Sequence, residues 1–362
     1  MIFYEICLAK NHLMKKIIPL FFLFALAVAC QQTPEAKSPE QLASPKSIYY
    51  WKTQFELNDY ELDFLKKHDI SRIYVRMFDV VENNEFAGDT LALIPNATIR
   101  FISAVPEGIE IVPTVYITYD AIMRMGTLEE KELGSYANRI LTRIDAMASY
   151  NNLPAIKEVQ FDCDWTNTYT WTYSRLCKHV KDILNKRGMQ FSITLRLHQM
   201  ADSILPPADR GVLMLYNTGA FKNPDTVNSI LTYNDVEPYI RKHNVPFPVD
   251  YAYPTYEWNL LYRNGEFKQI IRDIDLNDCS LFVASDYNKY VVQKDTAIGK
   301  SSLKVGDVIR HETSDFSEIE KVKSDLSRHH DMKDSRQIIY HLDSTNLSKY
   351  TDDEIEYILL SY

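Results

Sequence analysis

The sequence predicts an α/β fold of the TIM (β/α)8 barrel type, on three observations. Strand-like apolar runs alternate with amphipathic helical segments across residues 47–362. Eight such strands fall within that length, which suits one barrel domain. Neither the glycine fingerprint of dinucleotide-binding sheets nor a P-loop is present, and the whole chain has only 10 glycines. A doubly wound open α/β sheet is the alternative that the same alternation allows.

The elements follow in order. Tyr49-Tyr50-Trp51-Lys52 is a first strand, and Asn58 caps a helix carrying Leu62, Phe64 and Leu65. Arg72 to Val80 is the second strand and Glu110 to Thr118 the third. Leu128 to Tyr150 is a long helix with Leu133, Ile140, Leu141 and Ile144 on one side. Glu158 to Trp165 is the fourth strand, followed by a helix from Thr170 to Asn185 that stops at Gly188. Gln190 to His198, Val212 to Tyr216, Val249 to Tyr253 and Gln337 to Asp343 complete the eight. Residues 256–336 form an excursion between the last two strands. Within it, Asn264-Gly265 separates two apolar segments, the strongest short hairpin signal. Leu303 to Ile309 reads as a further turn and strand, and Ser317 to Ser327 as a helix.

The fourth and fifth strands carry the chemistry. Strands buried on both faces usually read as continuous apolar runs, whereas these two alternate. Val159, Phe161 and Cys163 interleave with Gln160, Asp162 and Asp164; Phe191, Ile193, Leu195 and Leu197 interleave with Ser192, Thr194, Arg196 and His198. Alternate residues of a strand point to opposite faces, so the apolar set should meet the helices and the polar set should fill the barrel. The interior is then expected to hold Asp162, Asp164, Arg196 and His198, with Arg76 from the second strand. Asp164 and His198 sit at C-terminal strand ends, where the active sites of such barrels are built. Tyr116 and Thr118 on the third strand, with His341 and Asp343 on the eighth, fit the same position.

A carboxylate pair is the natural chemistry of such a cleft, one group acting as acid and one as base or nucleophile. Asp164 is the candidate acid or base, with Asp162 beside it. Glu312 and Glu257 in the excursion are candidate partners from elsewhere in the chain. The chain has 24 Tyr and 4 Trp, rings whose faces stack on sugars and whose edges hydrogen-bond. Trp165, Tyr216, Tyr253 and Trp258 are candidates to line sugar subsites, with Arg76, Arg196, His198, Tyr116, His341 and Asp343 as polar contacts. Asp162, Asp164, His198 and His341 are oxygen and nitrogen ligands of a kind that suits a divalent metal. No HExxH or Cys/His cluster accompanies them, so no metal or cofactor is expected. No Gly-x-Ser-x-Gly elbow supports a serine hydrolase.

Composition narrows the partners. The net charge is −9, and nucleic acid, which needs a basic patch, is not expected as a partner. Cys163, Cys177 and Cys279 are odd in number, so the fold does not depend on a full disulfide framework.

Three segments carry a resemblance: Tyr49-Tyr50-Trp51-Lys52, Phe161-Asp162-Cys163-Asp164-Trp165 and Thr194-Leu195-Arg196-Leu197-His198-Gln199. Through them the chain resembles bacterial envelope lipoproteins with a glycoside-hydrolase-like TIM barrel. The Asp162-Cys163-Asp164 segment is also similar to chitinase-type barrels, which carry alternating acids on this strand ending in a catalytic Glu. Here the next residue on that face is Thr166.

The N-terminus adds a location. Lys15 and Lys16 precede an apolar run of 13 residues from Ile17 to Ala29, too short for a span of roughly 20. Leu26-Ala27-Val28-Ala29-Cys30 resembles the lipobox of signal-peptidase-II substrates, which implies cleavage before Cys30 and its lipidation. Met14 reads as a natural start. Residues 1–29 carry three lysines against one glutamate, so their removal leaves the chain two charges more acidic. Residues 31–46 are rich in Gln, Pro, Ser, Ala and charge, and read as a flexible tether. The expectation is a membrane-anchored envelope protein, held at the outer membrane on its periplasmic or external face. Its cargo has two readings: a glycoside hydrolase, favoured by the interior charges, or a non-catalytic glycan-binding barrel, favoured by the missing Glu.

Overall fold

The computed structural model describes residues 45–83, 92–202, 204–241 and 245–361. Cys30 and the leader lie outside the described residues, as does the tether up to residue 44.

Eight parallel strands form the core: β1 (Ser47–Tyr50), β2 (Arg72–Glu82), β3 (Glu110–Ile117), β4 (Glu158–Cys163), β5 (Gln190–Leu195), β6 (Arg210–Met214), β7 (Val249–Pro254) and β8 (Gln337–Tyr340). Each pairs in parallel with the next, and β8 pairs with β1 through Ser47↔Ile338 and Ile48↔Ile339. The sheet is therefore closed, and the open-sheet alternative is excluded. Several strands are shifted or shortened relative to expectation. β1 stops before Trp51, β4 before Asp164, β5 before Arg196 and β6 before Tyr216. Those four residues belong to the loops above the barrel, where backbone pairing has ended.

The alternation decides which side chains fill the barrel. Phe161, Cys163, Phe191, Ile193 and Leu195 face outward into one large apolar core with the helices. Tyr49, Tyr74, Val112, Val212, Met214, Tyr216, Ala252 and Ile338 form a second, inner cluster. Around these, the barrel contains a polar plug: Tyr49 Oη donates to Gln160 Oε1 at 2.7 Å, and Thr114 Oγ1 donates to the same oxygen at 3.3 Å. At the N-terminal end of the strands, Arg336 Nη1 donates to Glu158 at 2.7 Å, and Arg210 Nε to Asp250 at 3.0 Å. Buried charges persist when paired in this way. These ion pairs close the lower end of the barrel.

The helices begin where capping residues stand. Asn58 caps α1 (Asp59–Lys67) with a reciprocal box, accepting from Glu61 N at 2.9 Å and donating to the Glu61 carboxylate at 3.3 Å. Thr118, expected as the end of the third strand, instead caps α2 (Tyr119–Met125). α3 (Glu130–Tyr150) and α4 (Thr170–Lys186) follow, then α5 (Tyr233–Ile240). After β7 comes the excursion, a five-stranded antiparallel sheet of Glu257–Arg263, Glu266–Ile271, Phe282–Asp286, Lys289–Val292 and Val308–Thr313. Its hairpin turns at Asn264 (φ 55°) and Gly265 (φ 77°), two left-handed positions that this pair tolerates. Leu261, Ile271, Phe282, Val292, Leu303 and Ile309 give it a core of its own. The chain returns through α6 (Phe316–His329) to β8, and ends in α7 (Ser344–Leu347) and α8 (Asp352–Leu359).

Candidate functional site at the barrel mouth

Above the polar plug, β4 and β5 bring three charges together. Asp162 is buried and accepts a 2.6 Å hydrogen bond from Thr194 Oγ1. Arg196 Nη2 stands 3.7 Å from Asp162 Oδ1, and Arg196 Nε donates to Asp164, which projects into solvent. Burial pushes the Asp162 carboxyl above the usual range; the Arg196 charge opposes that, and the Asp164 charge reinforces it. Burial likewise disfavours the Arg196 charge, but the two aspartates outweigh it and hold the guanidinium protonated. Tyr116, expected at this end of the barrel, faces the aspartates. Burial, then Asp164 and Asp162, push its hydroxyl up to about 12.

Rings wall the rest of the mouth. Tyr216 stacks on Tyr340 with centroids 4.4 Å apart and planes at 25°. Tyr256 meets Tyr340 at 5.8 Å, and Trp51 meets it at 5.9 Å. Arg76 lies over the Trp51 ring at 5.5 Å while its guanidinium pairs with Asp79. The Tyr216 side chain is buried, yet its hydroxyl has no hydrogen-bond partner. An unsatisfied buried donor is costly.

Other expected residues lie elsewhere. Trp165 is the first residue of the outward set past β4: it is sealed and stacks on Tyr173 at 4.9 Å, away from the mouth. Tyr253 has the same outward parity on β7 and packs into the helix-side core, donating to Gln337 at 3.1 Å. His198 is exposed on a 3-10 turn (Leu197–Ala201), because β5 ends three residues earlier. Glu312 is buried and its oxygens are taken by Arg310 Nε, Ser229 N, Ser229 Oγ and Trp258 Nε1, at 2.6, 3.0, 2.6 and 2.6 Å. That carboxylate braces the excursion sheet and holds the Trp258 indole, whose ring reaches Tyr256 at 5.7 Å. Glu257 pairs with Lys349 and lines a separate cavity of about 350 Å³ with Ser314, Asp315 and Tyr350. Asp343 caps α7 and stands 3.6 Å from Lys52. His341 follows β8 directly; burial drives its pKa down to about 4, so the ring is neutral near pH 7.

Trp51, Tyr256, Tyr340 and Thr194 also line the site. Thr194 and Tyr340 share strand parity with Arg196 and Ile338, a signal that was present in the sequence. Trp51 lies one residue past its strand and Tyr256 opens the excursion, so neither was marked by alternation. Among the described residues, no group of three or more His, Cys, Asp or Glu is placed to hold a metal. Cys163, Cys177 and Cys279 are free thiols, the first two buried.

No protein-family model and no curated protein matches the chain. Solved structures do. The catalytic domain 2 of the Group II chitinase of Ostrinia furnacalis, a mutant in complex with penta-N-acetylchitooctaose, superposes with a TM-score of 0.50 at 11% identity, over 87% of this chain and 95% of that one. The Group IV chitinase of the same organism gives 0.50 at 9% identity, over 87% and 98%. A chitinase from the chitin utilization locus of Flavobacterium johnsoniae gives 0.48 at 13% identity, over 87% and 94%. At these identities the likeness is one of fold: the chain shares the TIM-barrel fold of those structures.

Proposed function

We propose that the barrel mouth binds a carbohydrate and does not hydrolyse it. The observation that carries this reading is the double engagement of Arg196 by Asp162 and Asp164. Hydrolysis of a glycosidic bond needs an acid that can reach the leaving oxygen and a second group opposite it. Asp162 is sealed beneath Arg196, and Asp164 already has an oxygen on the guanidinium. Glu312 has its oxygens engaged by four donors, and Glu257 pairs with Lys349. Thr166, exposed just past β4, is the residue that the resemblance to chitinase-type barrels would match to their acid. The rings of Trp51, Tyr256 and Tyr340 that wall the mouth support the sugar-binding half of the reading. Chitooligosaccharides are the first ligands to test, since one structural neighbour is in complex with such a compound.

The test is calorimetric titration of the full-length protein with N-acetylchitooligosaccharides and a wider glycan panel, with product analysis of the same mixtures. Binding without turnover is the expected result. Turnover abolished by Asp164→Asn would overturn it in favour of a hydrolase. We further propose that Cys30 is lipidated and anchors the barrel to the envelope membrane. Release of the protein to the soluble fraction by Cys30→Ala, with loss of the lipid mass, is the expected outcome; retention in the membrane would overturn it.

A further inference from the structure

Residues 215–232 join β6 to α5 without a helix or strand of their own. Two of the bonds that close this loop on itself are long: Thr218 N to Ile230 O and Gly219 N to Ser229 O, each 3.3 Å. Its first residues nevertheless stand in the mouth. Tyr216 stacks on Tyr340, and Asn217, in the left-handed region at φ 55°, accepts a 2.7 Å bond from Tyr256 Oη. A loop braced so lightly from within takes its hold from outside.

The excursion supplies that hold. On the strand Val308–Thr313, Arg310 and Glu312 share one face, while Ile309 between them faces the excursion core. The Arg310 side chain is fully buried. Its Nη1 donates to Asn223 O at 2.7 Å and its Nη2 to Phe221 O at 3.2 Å, with Nε held by Glu312 Oε1 at 2.6 Å. The guanidinium lies 5.0 Å from the centre of the Tyr262 ring, and the Tyr262 hydroxyl also donates to Phe221 O. A planar fork fixed by a carboxylate and a ring thus presents two donors to two carbonyls of the loop.

Stability alone does not account for this ion pair, because a well-packed apolar pair in a buried place is often as stable. An apolar pair cannot set the positions of two carbonyls, however. Phe221 and Asn223 follow Asn217 by four and six positions, so fixing them limits where Asn217 and Tyr216 can stand. We propose that Arg310 is a positioning residue for the mouth: from inside the excursion it fixes the loop that carries Tyr216 and Asn217 into the ring wall. The inference rests on the carbohydrate-binding reading and adds that the excursion shapes the binding face by holding a neighbouring loop. Arg310, being enclosed, acts without touching the ligand.

The experiment compares the full-length protein with Arg310→Met/Glu312→Gln and with Arg310→Lys. The double variant removes the guanidinium without stranding a buried charge, and its glutamine keeps an acceptor for Trp258 and Ser229. Lysine keeps a charge on Glu312 but, as a single ammonium, lacks the fork that spans both carbonyls. The readouts are the thermal midpoint, amide hydrogen exchange of residues 215–232, and calorimetric titration with N-acetylchitohexaose. In the double variant the midpoint should fall by no more than about 5 °C. Exchange in the loop should quicken about tenfold while the barrel strands keep the parent's rates. Affinity should fall about tenfold. Arg310→Lys should recover part of both effects, and it decides the question alone if the double variant does not fold. Loop exchange or affinity that stays at the parent's value would overturn the positioning role while leaving carbohydrate binding in place. Failure of the parent to bind would overturn both.

Discussion

Arg196 Nη2 lies 3.7 Å from Asp162 Oδ1, across the neighbouring ends of β5 and β4, with the carboxylate almost fully buried beneath it. The same guanidinium also holds Asp164. Arg196 therefore sets the electrostatics of the mouth, and its removal tests them.

Arg196→Met leaves Asp162 buried without a cation. Breaking a buried pair from one side costs about 3–5 kcal/mol, so a clear fall in the urea midpoint is expected. Adding Asp162→Asn removes the stranded charge and should recover part of the loss. A double-mutant cycle measures the coupling; additive effects would show that the two side chains do not interact.

Tyr216→Phe removes a hydroxyl that has no partner in the free protein. The thermal midpoint should stay level or rise, because a desolvated donor has been deleted. Glycan affinity should fall by about five- to tenfold, read by calorimetry. A loss of stability with unchanged affinity would assign the hydroxyl to the fold.

Glu312→Gln should act on stability first. Arg310 is buried beside Glu312, and the substitution leaves its charge uncompensated, at a cost of about 3 kcal/mol. Ligand affinity should fall only through Trp258, which loses its anchor. Thermal unfolding and titration on the same variant separate the two effects.

His341 gives a pH dependence of definite sign. Burial lowers its folded pKa to about 4 from an ordinary 6.5, so between those values the unfolded chain binds more protons than the folded one. Stability contributed by the neutral ring is present above pH 6.5 and lost as pH falls toward 4, by about 3 kcal/mol at most. The raised pKa of Asp162 works in the opposite direction over acid pH, since its protonated form is favoured in the fold. Urea titrations across this range should show a shallower acid loss in His341→Gln than in the parent.

Thr166→Glu places an acid on the face of β4 that carries Asp162 and Asp164, one same-face step further on. Slow release of products from N-acetylchitooligosaccharides is expected in this variant, against none in the parent. Product release that survives addition of Asp164→Asn would show that the new acid acts without the aspartate.

Much of the barrel was legible because alternation and closure follow from local chemistry. The polar parity of Gln160 and Asp162, and of Ser192 and Thr194, has its origin in a period-two backbone, and that period assigned inside and outside correctly. Strand ends were less legible. Asp164 and Arg196 lie just past their strands and keep the inward face, whereas His198 turns away on a 3-10 helix, and no local pattern separates these cases. Trp165 and Tyr253 have the residue type of sugar-stacking rings, but their parity with Phe161 and Tyr251 puts them on the helix side.

By itself the sequence determined the α/β alternation, the eight strands, the hairpin at Asn264-Gly265 and the inward parity of Asp162 and Arg196. These depend on short-range rules, periodicity, turn chemistry and the need of buried charges for partners. The tertiary structure alone decided that Glu312 is a brace and that Tyr216, Tyr256 and Tyr340 meet in one wall. The ring contacts join residues 40 to 124 positions apart, and Glu312 reaches Ser229 and Trp258 across 83 and 54 positions. Only closure of the barrel and folding of the excursion brings them together, and no local preference encodes that distance.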